Sequence, residues 1–129
     1  MRLSKAKVFF LEDEPLVSMD MEMYLDDFGV LDLTSASSVP KAAALVDAQT
    51  FDLAILDVNV NGQSSLPIAE RIHGAGTSIL FTTGYQLEGD VLQRMSAELV
   101  VKPYSGGVLT QALGRLGFEV DSSSRFATA

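Results

Sequence analysis

The sequence predicts an α/β domain built as an open parallel sheet with helices on both faces. Three observations predict it. Five short apolar runs alternate with five segments of helical spacing. The clearest runs, Val8 to Leu11 and Phe51 to Val58, are nearly continuous in apolar character, as in strands buried on both sides. The chain has 129 residues, 47% of them hydrophobic, which is one domain with enough apolar material for a core.

The elements follow in order. Val8-Phe9-Phe10-Leu11 reads as the first strand. From Pro15 to Phe28, Val17, Met21, Tyr24, Leu25 and Phe28 recur at helical spacing. Pro15 suits the first turn of that helix and Gly29 its stop. Val30 to Thr34 is a weaker strand. Ser37 or Ser38 caps a second helix through Ala48, with Ala42, Leu45 and Val46 facing inward. Phe51 to Val58 is the third strand, and Pro67 to Ile72 is helical. Ser78 to Thr82 is the fourth strand, Leu87 to Met95 a short helix, and Glu98 to Val101 the last strand. After Pro103, Val108, Leu109, Ala112, Leu113 and Leu116 mark a final amphipathic helix. A flavodoxin-like strand order, 2-1-3-4-5, suits this length by analogy. The expected domain is residues 1–120, with 121–129 a flexible, polar tail.

Composition excludes several classes. Seventeen acids against nine bases give a net charge of −8, unfavourable for binding nucleic acid or anionic lipid unaided. The chain has no cysteine, so it has no disulfide, zinc–thiolate site or thiol nucleophile. No apolar run approaches the ~20 residues that span a bilayer. The apolar stretch after the basic start is too short for a signal peptide. These features lead us to expect a cytoplasmic domain.

In an open parallel sheet, ligands bind outside the carboxyl ends of the strands. The first strand delivers Glu12 and Asp13 there, and the third Asp57, with Asn59 in the loop beyond. The fourth delivers Thr82 and Thr83, and the fifth Lys102 before Pro103. Each has a structural explanation alone: a turn-forming Asp, acids at a helix start, a Thr-Gly turn. Four strand ends furnished together point to one site. Three converging carboxylates repel one another unless a cation joins them. Oxygen ligands without thiolates, in a chain with one His, select Mg²⁺, with Mn²⁺ as a substitute. Mg²⁺ shares its shell readily with phosphoryl oxygens, and Lys102 and Thr83 suit the remaining ones. Asp57, at the end of an apolar strand, can then form an aspartyl-phosphate.

With these residues in view, the chain resembles the response regulator receiver domains of bacterial two-component signalling, over about residues 5–118. The carrying residues are Glu12-Asp13, Asp57, Thr83 and Lys102-Pro103. The resemblance implies that Asp57 accepts a phosphoryl group from a histidine kinase or phosphotransfer protein. It implies that Asp13, Asp57 and the backbone carbonyl of Asn59 hold Mg²⁺, with Glu12 acting through water. It implies that Thr83 and Lys102 bind phosphoryl oxygens and that the Lys102-Pro103 bond is cis. Residues 56–62, 66–72 and 81–85 further resemble single-domain receivers whose fourth strand reads Phe-Ala-Thr-Gly-Tyr. Those work with kinases of the HWE or related class. This chain departs from that motif with Thr82 in place of Ala and Ser78 near a usual Pro.

A second departure is Leu99, where receivers usually carry the aromatic that swings inward on activation. Tyr85 is either its replacement or an exposed loop residue. His73, at a helix end beside Gly74, reads as a surface residue rather than a phosphoryl relay. The expected function is a stand-alone phospho-acceptor, monomeric or weakly dimeric. It would signal by docking to a downstream protein through residues 87–112, or drain a kinase as a phosphate sink. The alternative is a pseudo-receiver that binds partners without phosphorylation. A phosphatase with an aspartyl intermediate commonly needs a second acid two residues after the nucleophile, where this chain has Asn59.

Overall fold

The computed structural model describes residues 1–85, 87 and 89–121. The strands are β1 (Lys7–Leu11), β2 (Asp32–Ala36), β3 (Leu53–Asp57), β4 (Asn59–Val60), β5 (Gln63–Ser64), β6 (Ser78–Thr83) and β7 (Glu98–Val101). The α-helices are α1 (Pro15–Asp27), α2 (Val39–Ala48), α3 (Leu66–Gly74), α4 (Gly89–Met95) and α5 (Gly106–Arg115). Five strands form one sheet in the order β2-β1-β3-β6-β7, and every pair in it is parallel. These are the five expected strands in the expected spatial order. The remaining two, β4 and β5, make a separate antiparallel hairpin.

Alternate strand residues enter two cores, because side chains point to opposite faces with period two. Val8, Phe10, Leu53, Ile55 and Leu80 pack with α1, through Met21 and Leu25, and with α5, through Leu109 and Leu113. Phe9, Leu11, Leu56, Ile79 and Phe81 pack with Ala42 of α2, Ile68 of α3 and Met95 of α4. Every residue of β3 is buried, which explains its unbroken apolar run. No described helix is long and apolar enough to cross a membrane.

Boundaries differ from expectation where capping takes residues from a neighbour. The second strand begins at Asp32, not Val30. Val30 is instead part of the stop of α1: Gly29 has φ +94°, its N–H donates to Asp26 O at 3.1 Å, and Val30 N–H donates to Leu25 O at 3.0 Å. This is a Schellman cap with Val30 folded back onto the core. Of the two candidate caps for α2, Ser38 serves, accepting from Lys41 N–H at 3.3 Å. The third strand starts at Leu53. Asp52 spans the amino end of the sheet instead, donating its N–H to Lys7 O at 2.8 Å and accepting from Lys7 N–H at 2.7 Å. The fourth helix begins at Gly89 rather than Leu87.

The expected flexible tail needs one correction. Asp121 is anchored, donating its N–H to Phe28 O at 3.0 Å and pairing with Arg2 Nε at 3.2 Å. The rest of that segment, 122–129, lies outside the described residues.

Candidate functional site

Parallel strands bring the carboxyl ends of β1, β3, β6 and β7 to one edge, and the polar residues meet there. One carboxylate oxygen each of Glu12, Asp13 and Asp57 lies within 4.8 Å of the other two. Glu12 and Asp57 are buried, at 3% and 6% exposure, so water screens their charges poorly. Lys102 Nζ lies between them, 2.8 Å from Glu12 Oε1 and 3.0 Å from Asp57 Oδ2. It donates a hydrogen bond to Asp57 Oδ2.

The backbone fixes the acids. Asp57 Oδ1 accepts from Asn59 N–H at 3.3 Å, and Glu12 Oε2 from Glu14 N–H at 3.1 Å. Asp13 Oδ2 accepts from Asn61 N–H at 3.0 Å. That contact depends on the β4–β5 hairpin, which the sequence reading passed over. Its signal was present: Asn61-Gly62 is a two-residue turn with φ +53° and +80°, the pairing that favours a tight hairpin. Asn59 Oδ1 accepts from Gly62 N–H at 3.0 Å and closes the turn.

Thr83 is buried at the end of β6, and its Oγ1 accepts from Tyr85 N–H at 3.2 Å. Its own O–H remains a donor. No hydrogen bond joins it to the three acids; it stands beside them through the backbone, where Lys102 N–H donates to Thr83 O at 2.7 Å. The Lys102-Pro103 bond is cis. Thr82 lies opposite Asp57 in the ladder, fully buried, with no partner for its hydroxyl among the described residues. Leu99 packs in the second core beside Phe81, while Tyr85 is 58% exposed. His73 is on α3, in its last turn, away from this edge.

The charges shift one another. Burial raises the Glu12 pKa, and the Asp57 charge adds to that against the opposing pull of Lys102 and the Glu14 N–H. Burial alone would lower Lys102, but hydrogen bonds and charge from Glu12 and Asp57 outweigh it and raise the ammonium above its usual value. Burial, then the charges of Glu12, Asp20 and Asp57, push the Tyr104 phenol up. Beside Lys102 a cleft of about 370 Å³ opens between α1 and the loop after β7, with Asp20, Tyr24 and Tyr104 on its walls.

Three converging carboxylates against one ammonium leave an excess of negative charge at a partly buried site. A hard divalent cation fits that donor set, and Mg²⁺ suits it because the ligands are all oxygens and one of the three acids, Asp13, is only partly buried.

Residues 8–114 match the response regulator receiver domain family. The chain belongs to that family. Receiver domains are signalling domains rather than classical enzymes, and they bind Mg²⁺ at an acidic pocket of this kind. The chain is 23% identical over 121 residues to the sensory transduction protein LytR of Staphylococcus epidermidis, covering 91% of this chain and 48% of LytR. It thus spans about half the length of that curated relative. Among solved structures it is similar to SdrG of Sphingomonas melonis Fr1, with a TM-score of 0.74, 27% identity, and coverage of 88% of this chain and 97% of that one. The BeF3-activated conformation of SdrG from Pseudomonas melonis Fr1 is similar at TM-score 0.69 and 30% identity, covering 89% and 97%.

Proposed function

We propose that this receiver is a phospho-acceptor whose Asp57 takes a phosphoryl group from a histidine kinase or phosphotransfer protein. The observation that carries the reading is the placement of Asp57: within 4.8 Å of two further carboxylates, 3.0 Å from Lys102, and buried at the strand end. A carboxylate oxygen of Asp57 attacks phosphorus, a P–O bond forms, and the P–N bond to the donor histidine breaks, its electrons returning to the imidazole. The Asn59 N–H and the Lys102 ammonium hold the carboxylate in one orientation for this attack. Lys102 is within reach of the oxygens of a group attached to Asp57, and the Thr83 O–H is the second donor to them. Asp13, Asp57 and the carbonyl of Asn59 would hold Mg²⁺, with Glu12 acting through water. The bound ion supplies positive charge that offsets the acids and the phosphoryl oxygens.

The output is protein docking, or drainage of a kinase, through the surface spanning 87–112. The run Phe81-Thr82-Thr83-Gly84-Tyr85 supports the subgroup that works with HWE-type kinases. Acetyl phosphate with Mg²⁺, read by intact mass, tests the assignment. Wild type gains one phosphoryl group and Asp57→Asn gains none. Persistent uptake by Asp57→Asn would sink it, and no uptake by either protein would favour a pseudo-receiver.

A further inference from the structure

Asn61-Gly62 closes the β4–β5 hairpin beside the acid cluster. Both residues are exposed, and both stand in the left-handed region, at φ +53° and +80°. The turn alone accounts for the choice of residues, since a two-residue hairpin favours Asn-Gly. The same pair is chemically weak. The backbone nitrogen of the following residue can attack an asparagine side-chain amide, and a glycine there hinders the attack least because it has no Cβ. A Cβ added at Gly62 would meet nothing within 4 Å, so the surroundings add no hindrance of their own. The other asparagine of the chain, Asn59, precedes Val60, which is branched at Cβ and fully buried.

Three hydrogen bonds hold the turn against this attack. The Gly62 N–H donates to Asn59 Oδ1 at 3.0 Å, which ties up the attacking nitrogen. Asn61 Nδ2 donates to Ser37 O at 3.4 Å. The Asn61 N–H donates to Asp13 Oδ2 at 3.0 Å. All three bonds are exposed, and β4 and β5 are two residues long, so the hairpin opens locally at little cost. The third bond ties the turn to the acid cluster. An ion held by Asp13 and the Asn59 carbonyl would fix the hairpin from both sides.

We propose that Asn61 is a site of spontaneous deamidation, restrained while Mg²⁺ occupies the acid cluster, and that its conversion loosens the cluster in turn. The Gly62 nitrogen bonds to Asn61 Cγ and its proton passes to water. The Cγ–Nδ2 bond breaks, ammonia leaves, and a five-membered imide remains. Water then adds to one of the two imide carbonyls and opens the ring to aspartate or isoaspartate. The net change is an amide and water becoming an acid and ammonia. In isoaspartate the main chain runs through the former side-chain carbon and is one atom longer. The two-residue turn then no longer closes, and the residue 61 N–H loses its hold on Asp13. In the aspartate product that N–H stays in place. The inference rests on reading Glu12, Asp13 and Asp57 as a metal site and not on phosphorylation.

The test ages the full-length wild type at neutral pH and physiological temperature, in EDTA and in saturating Mg²⁺. Peptide mass mapping reads conversion at each asparagine, and isoaspartyl methyltransferase labelling separates the two products. Conversion should concentrate at Asn61, spare Asn59 and slow severalfold in Mg²⁺. The isoaspartyl form, separated by ion exchange, should bind Mg²⁺ roughly tenfold more weakly by calorimetry, as when a partner that orients a metal ligand is lost. Asn61→Asp, which adds the charge without lengthening the chain, should stay close to the fresh wild type. An unconverted Asn61, or equal rates in EDTA and Mg²⁺, overturns the proposal. So does an isoaspartyl form that binds Mg²⁺ as the fresh protein does. Fresh wild type that gives no Mg²⁺ binding overturns the metal reading and this proposal together.

Discussion

Asp57→Asn should invert the order of two melting temperatures, depending on whether Mg²⁺ is present. The three carboxylate oxygens lie within 4.8 Å of one another, so each pair of charges repels by at least ~3.5 kcal/mol at an effective dielectric constant of about 20. Lys102 contacts Glu12 at 2.8 Å and Asp57 at 3.0 Å, attractions of roughly 5.5–6 kcal/mol each on the same scale. Replacing Asp57 by Asn removes two repulsions, about 7 kcal/mol together, and one attraction of about 5.5 kcal/mol. About 1.5 kcal/mol is left in favour of the metal-free variant, a rise of roughly 4–9 °C in Tm for a domain of this size. With Mg²⁺ at a hundredfold excess over its Kd, wild type gains ~2.7 kcal/mol, roughly 8–16 °C. The variant, lacking one ligand, gains far less. Four melting curves decide it: wild type and Asp57→Asn, each in EDTA and in Mg²⁺. The variant should melt higher in EDTA and the wild type higher in Mg²⁺. If Mg²⁺ moves neither protein, or both equally, the acids do not form a metal site around Asp57.

Further consequences concern the neighbours of that acid. The Glu12 pKa is raised in the fold, so its ionised form costs stability above the raised value, and the cost vanishes below the unfolded value near 4.5. In EDTA, the Tm advantage of Glu12→Gln over wild type should therefore grow as pH rises from below 4.5; a pH-independent difference would contradict the shift. Gly62→Ala places a side chain at φ +80° with nothing within 4 Å of its Cβ, a cost of about 1–2 kcal/mol from conformation alone. It should also weaken Mg²⁺ binding, measured by titration calorimetry, because the turn carries the Asn61 N–H that holds Asp13; Gly76→Ala, at φ +96° in the turn after α3, should lose similar stability and keep its affinity. With no aromatic at position 99, BeF3⁻ and Mg²⁺ should shift amide resonances chiefly between Thr83 and Gly89, where two glycines permit rearrangement. Shifts confined to the Leu99 strand would refute that.

Much of this was legible in the residues, for a physical reason. A parallel sheet buried on both faces must be written as apolar runs, and those runs end where the sheet meets water. Glu12, Asp57, the Thr82-Thr83 pair and Lys102 are the first polar groups at such ends, so the strands and the site were visible together. Val30 shows where the reading fails. It is as apolar as a strand residue, but the left-handed Gly29 turns it back onto Leu25, and tertiary capping outweighs strand propensity. Asn59 to Ser64 failed differently: the strands are two residues long, below the length at which alternation can be seen, and the turn pair was the sole signal. The Thr82 hydroxyl, without a partner among the described residues, sits where it does because β6 pairs Thr82 with Asp57, which is a matter of register and not of spacing along the chain.

The site draws on four strand ends, at residues 12–13, 57, 83 and 102, and the crossovers between them occupy most of the molecule. No contiguous fragment carries more than part of it. An incompletely folded copy has its acids far apart and its lysine elsewhere, and it can neither gather a divalent ion nor present a restrained carboxylate. Marginally stable domains always keep a small unfolded fraction in equilibrium with the native one. For this chain that fraction is chemically mute. Whatever is written at this edge of the sheet is written only on molecules that have finished folding, so the architecture performs its own quality control.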